Sequence, residues 1–255
     1  MGRMGYGYGS EWQLLRFMGR HRSVFTDAVK TTVDPDGTRQ VTSVDWLDHP
    51  FNTNADFGDG EIKSVDFLAD YGGEEWKQYW PDSRPGEVNR AGVPSWDAVG
   101  RIAIQGQGSE WLLVEAKAHE GEFTAGAECG ARGESLKKIE AALDSCREAM
   151  GIDPNKTPLQ SVAKAWLGRY YQVANRLAVL HFLLNKVNQP ARLLFVYFLG
   201  DSQQNQNCPK EAQEWRTIIK SAYQNKLHIP LDHLFAKRVH YLFVDVASGK
   251  YSSGL

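Results

Sequence analysis

SWDAVGRIAI (residues 95–104), QGQGSE (105–110) and WLLVEAKA (111–118) follow one another as two strand-like runs separated by a glycine-rich turn. Side chains two residues apart share one face of a strand, so Glu115 and Lys117 project together. A three-residue loop at Gly106–Gly108 places Lys117 opposite Asp97 and Glu115 opposite Val99. This register therefore predicts that the two carboxyl groups and the lysine lie on one face of a hairpin.

The opposite face of the predicted hairpin is wholly apolar, which is how a burial pattern normally fixes strand register. It consists of Ala98, Gly100, Ile102, Ile104, Leu112, Val114 and Ala116. The polar face also carries Arg101, so three to four ionisable groups are expected beside one edge of a hydrophobic hairpin. The match depends on the turn, because a loop of even length would break it.

Strand-like and helix-like segments alternate along the remaining chain, which predicts an α/β fold with a mixed sheet. Two nearly continuous apolar runs, Arg192–Leu199 and His240–Val246, are typical of strands buried on both faces. The apolar spacing predicts helices over residues 11–30 (interrupted by Gly19), 133–150, 161–187 and 211–223.

Residues 34–95 are rich in Asp, Gly, Pro and Trp and are predicted to form an irregular insertion. Within it, a strand is expected near Ser64–Leu68 and a short helix at Glu74–Trp80. We interpret residues 1–255 as a single domain that carries this insertion, since 255 residues can bury one full core.

The bulk composition restricts the partners and the location of the protein. The formal net charge is −2, so the overall charge does not favour nucleic acid, and a DNA or RNA substrate must be argued from the site. The sequence has no apolar run long enough to span a membrane and no signal-peptide core at its N-terminus. Its three cysteines are widely spaced, which predicts free thiols and a cytoplasmic location.

The carboxylates of Asp97 and Glu115 are hard oxygen ligands of the kind that bind Mg²⁺ or Mn²⁺. Such an ion polarises a phosphoryl oxygen and lowers the pKa of bound water, and Lys117 could orient that water. The combination is suited to hydrolysis of a phosphodiester. The alternative is a surface hairpin in which Glu and Lys alternate with apolar residues by chance.

PSWDAVG at 94–100 and WLLVEAKAH at 111–119 resemble the (P)D…(D/E)xK signature of the restriction-endonuclease-like nuclease superfamily. Asp97 matches the signature aspartate, Glu115 the acidic residue of the pair and Lys117 the lysine, while Pro94 lies three residues before the aspartate. The resemblance implies a restriction-endonuclease-like fold, magnesium-dependent cleavage of nucleic acid, DNA before RNA, and a metal held by Asp97 and Glu115. Members of the superfamily also tend to carry a site glutamate on the first helix, and the resemblance implies that Glu11 is this residue.

Further site candidates lie on the first helix and on the long helix. Glu11 stands at a helix start, where the helix dipole favours a carboxylate whatever the function. Arg169, Gln172 and Arg176 follow a three-then-four spacing and form a polar stripe, which is either a solvated edge or the lining of a substrate cleft.

Two functions remain open from the sequence. The first is a magnesium-dependent nuclease acting on DNA, and the second is a non-catalytic binding or scaffold protein on the same fold. The near-neutral charge and the eight tryptophans favour the second. No P-loop, GxSxG or GxGxxG motif supports an ATP-driven, serine-hydrolase or nicotinamide enzyme.

Overall fold

A six-stranded mixed sheet forms the centre of the computed structural model, which describes residues 7–47, 62–70, 72–81, 93–124, 128–152 and 159–255. Its strands are β1 (Val41–Trp46), β4 (Ala98–Ile104), β5 (Gly108–Lys117), β6 (Ala191–Leu199), β7 (Val239–Asp245) and β8 (Tyr251–Ser253), in that spatial order. Two further strands, β2 (Ile62–Lys63) and β3 (Ser95–Trp96), pair with each other in a separate antiparallel ladder. The predicted mixed α/β class is confirmed.

The middle of the sheet is parallel and its edges are antiparallel. β5, β6 and β7 run parallel, whereas β1–β4, β4–β5 and β7–β8 pair antiparallel. All nine residues of β6 are buried, as expected for an apolar strand covered on both faces. The prediction that residues 192–199 and 240–246 form inner strands of one sheet is therefore confirmed.

Helices cover both faces of the sheet. They are α1 (Ser10–Gly19), α2 (Arg22–Val33), α3 (Gly73–Tyr79), α4 (Glu120–Thr124), α5 (Gly133–Ala149), α6 (Leu159–Leu167), α7 (Tyr171–Asn185) and α8 (Ala212–Ala222). A π-helical turn, Tyr223–Leu227, follows α8, and a 3-10 turn, Ala236–Arg238, precedes β7. Apolar residues of α1 and α2 pack on the face of β5 that carries Val114, and residues of α5–α8 pack on the face that carries Leu113. None of the described helices combines the length and the apolar character that crossing a membrane requires.

One helix predicted to be interrupted at Gly19 and one predicted to be continuous are both divided in two. The segment 11–30 forms α1 and α2, which are separated at Arg20 and His21. The segment 161–187 forms α6 and α7, with the break at Gly168. A Cβ atom at Gly168 would lie 2.7 Å from the carbonyl oxygen of Lys164, so the tight turn at this point requires glycine.

The segment predicted to be an irregular insertion contributes an edge strand to the main sheet. β1 lies within it and pairs with β4, and its Trp46 ring stacks on Phe25 of α2 at 5.8 Å. The strand predicted near Ser64–Leu68 is wrong, because these residues form turns after the shorter β2. The predicted short helix is present as α3. Residues 48–61, 71 and 82–92 of this segment lie outside the described residues.

Candidate active site

The end of the β4–β5 hairpin brings Asp97, Glu115 and Lys117 together. The last paired residues are Ala98 and Val114, so continuing the register by one residue places Asp97 opposite Glu115. The backbone N–H of Ala116 donates a hydrogen bond of 2.6 Å to Oδ2 of Asp97. This bond holds the Asp97 carboxyl group against the strand that carries Glu115.

The observed register differs by two residues from the predicted one. The loop is Gln105–Gln107, so that Ile104 pairs with Gly108, which has a φ angle of 87°. The predicted loop began one residue later and placed Lys117 opposite Asp97. A shift of two keeps every side chain on its predicted face, because the side-chain period of a strand is two.

Glu115 is a buried, ionised carboxylate with two cationic partners. Its side chain is 1 % exposed; Oε1 accepts a hydrogen bond from Nζ of Lys117, and Oε2 accepts one of 2.7 Å from Nε of Arg176. Burial pushes the pKa of Glu115 upward, but the charges of Arg176 and Lys117 outweigh burial and hold that pKa below its ordinary value of 4.5. Glu115 is therefore negatively charged at neutral pH.

Asp97 is in the opposite electrostatic situation. Burial, and after it the negative charge of Glu115, raises the pKa of Asp97 from 3.8 to about 7, although Lys117 and the Ala116 N–H oppose the change. Its Oδ1 atom makes no hydrogen bond to any residue within the described ranges. Near pH 7 the Asp97 carboxyl is thus divided between its protonated and ionised forms, beside a carboxylate that stays ionised.

Arg176 fixes one side of the cluster. Its side chain is buried, Nη1 donates a hydrogen bond of 2.8 Å to Oδ1 of Asn175, and the guanidinium lies over the Trp96 ring at 4.9 Å. The Trp96 indole N–H donates to the carbonyl oxygen of Ser64 at 2.8 Å, which anchors the residue next to Asp97. Sequence spacing marked Arg176 only as a candidate substrate contact, and nothing in the sequence indicated Trp96 or Asn175 as its neighbours.

Gln172 and Arg176 both contribute to the wall of a cavity of about 600 Å³, which Asp97, Glu115 and Lys117 do not line. Arg169, the third member of the predicted stripe, is exposed on the turn between α6 and α7 and does not line the cavity. The stripe fails at Arg169 because the predicted continuous helix is broken one residue earlier, at Gly168.

Two predicted members of the site lie elsewhere. Glu11 is exposed on α1, which packs on the face of the sheet that carries Ala116 rather than the face that carries Glu115. The inward-facing residue of that turn is Gln13, whose Nε2 donates to Oδ1 of Asp201 at 2.8 Å. Arg101 lies midway along the hairpin, where it pairs with Trp111 and its guanidinium stacks over the Trp111 ring at 4.2 Å.

The cluster offers a divalent cation two carboxyl groups. Within the described parts of the chain, no group of three or more His, Cys, Asp or Glu side chains is arranged to hold a metal ion. Asp97 and Glu115 could bind an ion together, with Oδ1 of Asp97 as the oxygen that is not already hydrogen-bonded. A cation there would relieve the repulsion between the two carboxylates, and the metal ligands stay a prediction.

Comparisons with protein-family models, with curated proteins and with solved structures found no match to this chain.

Proposed function

We propose that this chain is a metal-dependent nuclease with a restriction-endonuclease-like fold, hydrolysing phosphodiester bonds of DNA in preference to RNA. The observation that carries the proposal is the placement of Asp97 opposite Glu115 at one end of the β4–β5 hairpin, with Lys117 hydrogen-bonded to Glu115. The raised pKa of Asp97 agrees with this, since strongly perturbed carboxyl groups are typical of functional sites. The (P)D…(D/E)xK pattern of the sequence assigns these same three residues.

The order of the strands around the site supports the proposed fold. An antiparallel hairpin, β4–β5, is followed after α4–α7 by β6, which adds parallel to β5. The three signature residues lie just before β4 and at the end of β5, so one end of the hairpin presents all of them.

Asp97 and Glu115 would hold a Mg²⁺ or Mn²⁺ ion. When bound, the ion would polarise a phosphoryl oxygen and lower the pKa of a coordinated water molecule. Lys117 presents an ammonium group with three donors, of which one contacts Glu115, so the others can orient a water molecule. Arg176 neutralises Glu115 from the other side and supplies positive charge next to the cavity.

The alternative is a non-catalytic binding or scaffold protein on the same fold, and one observation favours it. Glu115 is 1 % exposed and both of its oxygens are hydrogen-bonded, so metal binding has to compete with Lys117 or Arg176. The formal charge of −2 also gives no general attraction to nucleic acid.

A cytoplasmic location is proposed on the three free cysteines alone.

The test is cleavage of supercoiled plasmid and of single-stranded DNA with Mg²⁺ or Mn²⁺, by the wild type and by Asp97→Asn. Asparagine keeps the oxygen that accepts the Ala116 N–H and removes the charge, so the variant should fold but cut at least about 100-fold more slowly. Asp27→Asn is the matched control, because Asp27 is exposed on α2 and should leave the rate unchanged. If the folded wild type does not cut with either ion, the scaffold alternative replaces the nuclease.

A further inference from the structure

The cavity beside Arg176 has the composition of an anion site. It lies between the start of α5 and the first two turns of α7, and it opens to solvent on the α5 side, where Arg132 and Ser135 are exposed. Tyr171, Asn175 and Arg176 line it and are buried. The cavity therefore has an exposed cationic rim and a buried polar wall.

Two donors on this wall have no hydrogen-bond partner among the described residues, and one of them, the Tyr171 hydroxyl, is fully buried. Arg176 uses Nε for Glu115 and Nη1 for Asn175, and its Nη2 makes no hydrogen bond to a residue in the described part of the chain. Tyr171 is 7 % exposed, and its hydroxyl is likewise unpaired among the described residues. Cys129 and Asn175 lie near that hydroxyl, but neither forms a hydrogen bond with it. Because buried donors in proteins are nearly always satisfied, the Tyr171 hydroxyl indicates a missing acceptor, which Arg176 Nη2 could also bind.

The beginning of α5 adds a third source of positive potential. This helix has 17 residues, and its N-cap, Arg132, makes no side-chain capping hydrogen bond. The first backbone N–H groups of a helix have no partner within the helix, and together with the helix dipole they favour an anion. Arg132 and Ser135 place this helix start in the wall of the cavity.

We propose that this cavity binds a phosphate group, held by Arg176 Nη2 and the Tyr171 hydroxyl inside and by Arg132 at the rim. Burial raises the pKa of the Tyr171 hydroxyl, so this group remains a donor. Among the described residues that line the cavity, Glu128 is the acidic one, and because it is exposed its repulsion of an anion is screened by solvent. That the phosphate belongs to a nucleic acid strand rests on the proposed function; that the cavity binds phosphate does not.

The test is titration calorimetry of the full chain with inorganic phosphate, without divalent ions. Arg132→Ala and Tyr171→Phe should each weaken binding by roughly tenfold, since each removes one hydrogen bond to a charged acceptor. Arg169→Ala is the matched control, because Arg169 is a nearby exposed arginine that does not line the cavity. No binding by the wild type, or equal affinities for the wild type, Arg132→Ala and Tyr171→Phe, would overturn the proposal.

Two oligonucleotides of one sequence, with and without a 5′-phosphate, distinguish a strand end from free phosphate as the source. They are titrated into Asp97→Asn, which binds without cutting. Tighter binding of the phosphorylated strand, reversed by inorganic phosphate and lost in Arg132→Ala, identifies a strand end, whereas equal binding of both strands excludes it. A wild type that binds phosphate but never cuts DNA would refute the nuclease and leave the phosphate site standing.

Discussion

Replacing Asp97 by asparagine should remove an unusual pH dependence of stability. The folded protein holds the Asp97 proton up to about pH 7, whereas the unfolded chain releases it near pH 3.8. Between these values the folded state binds more protons, so the free energy of unfolding falls as the pH rises. At about 1.4 kcal/mol for each pH unit, the full effect is roughly 4 kcal/mol. Because the Asp97 side chain is partly exposed, we expect about 2 to 4 kcal/mol.

Urea unfolding at several pH values between 4 and 8, with a chelator present, measures this effect. The quantity to compare is the difference in unfolding free energy between the wild type and Asp97→Asn, which cancels the contributions of other titrating groups. Asp97→Asn should become progressively more stable than the wild type as the pH rises, and most of the change should occur below pH 7. Asp27→Asn should show no such trend. A difference that stays flat across this range would mean that Glu115 and burial do not perturb Asp97.

Three further outcomes are expected. Millimolar Mg²⁺ should raise the melting temperature more at pH 8 than at pH 6, since binding must displace the Asp97 proton; an equal gain in Asp97→Ala would exclude this carboxylate as a ligand. Lys117→Met should lower the cleavage rate by about 10²–10⁴ and leave the metal-induced stabilisation nearly intact. A large loss of stability in Lys117→Met, together with a wild type that does not cut with any divalent ion, would assign Lys117 a purely structural role. Arg176→Met should lower the unfolding free energy by roughly 1.5–3 kcal/mol, because Glu115 loses one charged hydrogen bond and keeps Lys117 as its cationic partner. A loss below about 1 kcal/mol in urea unfolding would show that the Arg176–Glu115 pair contributes little to stability.

The hairpin could be predicted because its apolar face must be buried in the core. A run such as Leu112, Val114 and Ala116 must be buried, which fixes the parity of the pairing and therefore which side Asp97 and Glu115 share. The parity does not fix the register to better than two residues. The remaining choice depended on whether the turn begins at Gln105 or at Gly106, and both give a three-residue loop with glycine inside.

The helix break at Gly168 and the edge strand could not be predicted with the same rules. Gly168 lies inside a strongly apolar helical pattern, and only the close approach to the Lys164 carbonyl shows why the chain turns there. Strand β1 stands in a segment dominated by turn residues, and its pairing with β4 is a tertiary effect. The ion pair between Arg176 and Glu115 joins residues 61 positions apart, and the local spacing of residues in a sequence cannot predict such a contact.

The strand order also sets a sequence of events during folding. β4 and β5 are joined by three residues, so their pairing closes a very short loop. The pairing of β5 with β6 closes a loop of more than seventy residues, which costs more conformational entropy. The hairpin therefore brings Asp97 next to Glu115 before α7 can deliver Arg176. Before α7 docks, Asp97 and Glu115 lie side by side with Lys117 as their only cationic neighbour on the hairpin. Docking of α7 is favoured because Arg176 neutralises the charge of Glu115. The electrostatic pair that defines the site thus also helps to recruit the helix that encloses it.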